Sequence, residues 1–88
     1  MSEYARLDPF AELRLPTPVH ARALRLLQGI RHARTVADTL HAADRAEGFV
    51  MGLESLKALP AAGIEVLYRI FDTASQLRQV QLELERQG

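Results

Sequence analysis

Cysteine and tryptophan are both absent from these 88 residues. Without cysteine there is no disulfide, no thiolate zinc site and no thiol nucleophile. Net charge is missing too, because eleven basic side chains balance eleven acidic ones. No overall field therefore draws the chain to nucleic acid or to an anionic membrane. No apolar run approaches the roughly 20 residues that span a bilayer. Residues 1–9 carry Glu3, Arg6 and Asp8 and no apolar core of the secretory-leader kind. The expectation is a cytoplasmic protein without membrane contact.

Catalytic signatures are equally scarce. Ser2, Ser55 and Ser75 lack the glycine elbow that exposes a serine nucleophile. No glycine-rich loop of phosphate-binding form is present; Gly48 and Gly52 fall inside a helical pattern. His20, His32 and His41 stand nine or more residues apart, whereas two zinc ligands on one helix sit three or four apart. No catalytic residue, metal site or cofactor is expected. An enzyme would need a pocket between helices lined by Arg45, Asp38 or Arg78; Asp38 shares a helix face with Arg45, and a structural ion pair at a subunit interface is the expected role.

What is present is apolar residue at helical spacing. Apolar types make up 48% of the chain, enough for a core, yet a chain this short is marginal alone. With disulfides excluded, oligomerisation is the remaining remedy. The fold class is all-α: a long antiparallel helical hairpin plus a shorter N-terminal helix and arm, dimerising into a helical bundle. Residues 1–16 read as the arm, with Asp8 and Pro9 opening one turn through Glu12, and Tyr4, Leu7, Phe10 and Leu13 spaced three apart. Residues 17–88 read as one helical domain with helices at about 18–29, 35–59 and 61–86.

The boundaries rest on local chemistry. Thr17 and Pro18 supply a cap and a proline for the first helix. Gly29 before Ile30 resembles a helix C-terminal motif, and Thr35 with Asp38 fits a capping box, so a break is expected within 29–34. Pro60 lacks a donor and biases Leu59 from helical dihedrals, ending the second helix at Leu59 and letting the third restart at once.

The third helix carries the most information. Arg69, Asp72, Gln76, Gln79, Glu83 and Arg86 form a polar stripe. The opposing apolar arc is roughly 200° wide, about twice what one core-facing side needs. The excess points to a dimer or partner interface through Phe49, Leu53, Leu56, Leu67, Ile70, Phe71 and Leu77, and on this reading Phe71→Glu leaves little folded dimer. Gly48 and Gly52, one turn apart, suggest a close helix crossing. Arg22, Arg25, Arg31 and Arg34 form a possible basic contact, although Arg22 and Arg31 point opposite ways on a continuous helix.

By elimination the expected function is binding: a small non-enzymatic regulator that occludes or tethers a partner protein, of the inhibitor, antiactivator or adaptor type. The alternative is a nucleic-acid-binding regulator that uses the Arg22 to Arg34 segment.

Overall fold

The computed structural model describes residues 8–87, so Tyr4 and Leu7 of the arm lie outside the described residues. Three α-helices follow one 3-10 turn, Ala11–Leu13. They are α1 (Thr17–Arg31), α2 (Val36–Ser55) and α3 (Ala61–Gln87). No strand occurs among the described residues.

The arm is tied down by Asp8. One carboxylate oxygen accepts the Phe10 amide at 3.0 Å and opens the turn. The other receives His20 Nε2 of α1 at 2.8 Å. Between these anchors Phe10 is driven inward to 0% exposure. Its ring centroid lies 5.5 Å from that of Phe71, and His20 meets it edge-on at 6.3 Å. Phe10 is thus part of the protomer's own core, with Leu15 beside it in the same cluster.

Helix α1 begins on the Pro16 carbonyl, which accepts the His20 amide at 2.9 Å. Thr17 is its first residue and makes no side-chain cap. The helix also runs two residues past its expected end, because Gly29 keeps helical geometry and the break falls at residues 32–35. There Thr35 Oγ1 accepts the Asp38 amide at 3.0 Å, the Thr35 half of the expected capping box. Buried Thr39 donates its hydroxyl to the Thr35 carbonyl at 2.8 Å.

Helix α2 stops at Ser55 and not at Leu59. Lys57 takes a left-handed conformation with φ 53°. Its amide reaches the Glu54 carbonyl, and the Ala58 amide reaches the Leu53 carbonyl, each at 3.0 Å. This is the Schellman closure, and it ends the helix before Pro60 can. The Pro60 carbonyl then accepts the Gly63 and Ile64 amides, starting α3. The connection is therefore residues 56–60, and Gly63 belongs to α3.

Helices α2 and α3 run antiparallel. Tyr68 meets Glu54 near the connection, whereas Val36 shares a groove with Leu82 at the far end. Each helix packs on the other two. The core comprises Ala23, Leu27 and Ile30 from α1, Ala42, Ala46, Val50 and Leu53 from α2, and Ile64, Leu67, Phe71 and Ala74 from α3.

Phe10→Ala is expected to destabilise the protomer by about 3 kcal/mol or more, the usual cost of emptying a buried phenylalanine site. Leu56, 80% exposed, serves as control, since Leu56→Ala should change stability by no more than about 0.5 kcal/mol. Urea unfolding of both variants checks this.

Candidate functional site

Burial divides the expected interface residues into two groups. Leu53, Leu67 and Phe71 lie inside the protomer, and Phe49 and Ile70 are half-buried against the same core. Phe71→Glu would therefore place a charge against Phe10 and unfold the protomer, so it does not report on an interface. Leu56 and Leu77 remain on the surface.

Leu77 belongs to a longer feature. Leu77 and Val80 are each 56% exposed and Leu84 is 63% exposed. With half-buried Val66 and Ile70 they lie on one side of α3, at 4-7-3-4 spacing. At 100° per residue this stripe sits roughly 130° from the buried arc of Ile64, Leu67, Phe71 and Leu82. The polar stripe of Arg69, Asp72, Gln76, Glu83 and Arg86 is exposed beyond it. The wide apolar arc thus has an inner part used by the fold and an outer part facing solvent.

Beside the stripe, between α1 and α3, runs an open groove of about 500 Å³. Ile70, Ala74 and Leu77 contribute apolar surface, and Pro9 closes one side. Arg31, His32, Arg69 and Arg78 also line it, and no acidic residue does among the described residues. Arg78 is held in place: its Nε donates to the Ala33 carbonyl at 2.8 Å and a terminal nitrogen donates to Gln81 Oε1 at 3.2 Å. The Ala33 carbonyl lies just past the end of α1, where a cation is favoured.

The four arginines of the basic segment are all exposed but do not converge. Arg25 lines a groove between α1 and α2, Arg31 the groove between α1 and α3, and Arg34 a third near the end of α3. Arg22 lines none of these three grooves. Asp38, His41 and Arg45 share the α1–α2 groove. Within the protomer Asp38 and Arg45 make no ion pair with each other. Among the described residues the ion pairs are Asp8–His20, Glu65–Arg69 and Glu83–Arg86. Arg78 takes a backbone carbonyl as its partner. No group of three or more histidine or acidic residues able to hold a metal occurs among the described residues. Nor is any of their helices long and apolar enough to cross a membrane.

Gly48 and Gly52 face open space: a Cβ at either position would meet nothing within 4 Å. Within the chain they serve no close crossing, because α2 packs through its opposite face of Ala42, Ala46, Val50 and Leu53. Exposed Leu40 and Met51 lie on this outer face with them.

Tyr68 donates to Glu54 Oε1 at 3.2 Å. Desolvation first, then the charge and hydrogen bond of Glu54, then the charge of Glu47 raise the phenol above its ordinary 10.0.

No protein-family model matches this chain, and no curated protein or solved structure matches it either.

Two predictions follow from this geometry. Gly48→Ala and Gly52→Ala should each stabilise the protomer, by up to about 1 kcal/mol, as expected at open helix-interior sites; thermal melts measure the gain. For Tyr68 the unfolded phenol ionises before the folded one, so the stabilisation it gives is complete below pH 10 and lost above it. The small stability margin of the wild type over Tyr68→Phe should narrow between pH 8 and pH 11 in urea titrations.

Proposed function

We propose that this chain is a non-enzymatic regulatory protein that binds and occludes or tethers a partner protein through the outer stripe of α3. The observation that carries this reading is the exposure of Leu77, Val80 and Leu84 on a helix whose inner arc already completes the core. Single exposed apolar side chains are ordinary, but a continuous row beside a groove is characteristic of helix-in-groove recognition. The row spans about two turns of helix, and with Ile70 about four.

A homodimer would use the same stripe. A two-fold axis at its midpoint, near Thr73 and Leu77, would bring Arg31 toward its own symmetry mate, since Arg31 lines the groove beside those residues. Like charges at a partly desolvated interface oppose pairing. A different protein is therefore the favoured occupant, and self-association is the competing use of the surface. Nucleic acid is less well served, because the cations at Arg25, Arg31 and Arg34 line three separate grooves and phosphate binding draws on converging ones.

The test is affinity capture from source lysate, before and after nuclease treatment, with three baits: wild type, Leu77→Glu/Leu84→Glu and Arg22→Ala/Arg25→Ala. All four positions are exposed, so the baits should fold alike by circular dichroism. One protein retained stoichiometrically by the wild type and the arginine variant, and lost from the leucine variant, is the expected result. Equal retention by the leucine variant would remove the stripe from the function. Capture of nucleic acid alone, before nuclease and not after, would replace this reading with the nucleic-acid one.

A further inference from the structure

The groove beside the stripe is distinguished by its charge. The chain as a whole is neutral, yet among the described residues the side chains lining this groove include three arginines and no carboxylate. The other lining residues supply Ile70, Ala74 and Leu77 as an apolar floor. Two of the arginines come from α3, Arg69 and Arg78, and Arg31 comes from the last turn of α1. The groove thus presents a long apolar track between cations supplied from both of its walls.

From this we infer that the element docking here is an acidic amphipathic helix of the partner protein, and this inference rests on the partner-binding reading above. Its apolar face would lie on Ile70, Ala74 and Leu77 and continue along Val80. Its flanking aspartates or glutamates would meet Arg31 on one side and Arg69 on the other. Arg78 contributes a fixed charge, because two of its nitrogens are already engaged with Ala33 and Gln81. Arg69 is free to turn toward a ligand: its one ion pair, to Glu65, is exposed and 3.7 Å long. Exposed pairs of this kind are weak. Residues 69–81 of α3 span about 18 Å, so the docked helix needs three turns or more.

Such a complex has a defined electrostatic behaviour. Salt should weaken it, because both partners keep part of their charge at the solvated rim. Its specificity should follow the sign of the ligand's flanking charges rather than the detail of its apolar residues.

The experiment uses three synthetic helical peptides of equal length with the same leucine face, flanked by glutamate, by lysine or by glutamine. Fluorescence anisotropy against the full chain is read at low and high salt. The glutamate peptide should bind at least tenfold more tightly than the lysine peptide, with an advantage that shrinks at high salt. Arg31→Glu/Arg69→Glu should reverse the preference, and Leu77→Glu should weaken every peptide. Equal binding of all three peptides, or a preference untouched by the arginine reversal, would overturn the acidic assignment while leaving the stripe as a docking surface. Binding of none would overturn the proposal outright. The lysate capture above, which depends on no peptide, then decides separately whether the chain binds a partner at all. Analytical ultracentrifugation supplies the last arm: a tight dimer that excludes the peptides and is broken by Leu77→Glu would assign the groove to a second copy, against this inference.

Discussion

The burial of one arc of α3, from Ile64 through Leu67 and Phe71 to Ala74 and Leu82, is the interaction on which the rest of this structure depends. Both other helices pack on α3, and the arm plugs in by setting Phe10 against Phe71. Helices of this length gain most of their stability from such packing rather than from intrinsic propensity. Sequences of 15 and 20 residues in α1 and α2 would be marginal alone. Hydrophobic burial gives the bundle its order, and the polar contacts refine it: Asp8 orients the arm, Thr35 starts α2, and Arg78 closes over the end of α1.

How much of this was legible in the sequence depended on whether the deciding force was local. Pro18, Thr35 and Pro60 act on their immediate neighbours, and helix starts near all three could be read directly. The end of α2 could not, because the residue that turns the chain is Lys57 in a left-handed conformation that glycine or asparagine normally marks. Gly29 misled for the converse reason: it carries the terminal signal yet stays helical, since Ile30 is drawn into the core and the helix continues to Arg31. Phe10 illustrates the non-local case. Its spacing with Leu7 and Leu13 is compatible with docking anywhere, and only the Asp8–His20 contact directs it inward.

The candidate site was half legible on the same principle. The width of α3's apolar arc is a property of one helix and could be counted from residue spacing. Which half of it faces inward is a property of three helices together. Leu67 and Leu77 are the same residue in similar helical surroundings, and one is sealed while the other is more than half exposed. Arg78 could be recognised as a cation at the edge of the arc, but not its partner, because the free Ala33 carbonyl exists only where α1 happens to stop. Gly48 and Gly52 carried a spacing signal with no contact behind it in the protomer.

That stopping point connects the fold to the groove. The end of α1 lies level with Arg78, and the last nine residues of α3 continue beyond it. Arg34, Thr35 and Val36 line a groove with Leu82, whereas Val80 and Leu84 stay exposed. The same termination explains the charge. Cations are favoured at a helix C-terminus by the partial negative charge of its free carbonyls, and this one carries Arg31 and recruits Arg78 from α3. The residues that suit the end of α1 are therefore the ones that line the open side of the groove. The end of α1 thus sets Arg31 and Arg78 beside the apolar residues Ile70, Ala74 and Leu77, and the acidic amphipathic partner is proposed on that placement.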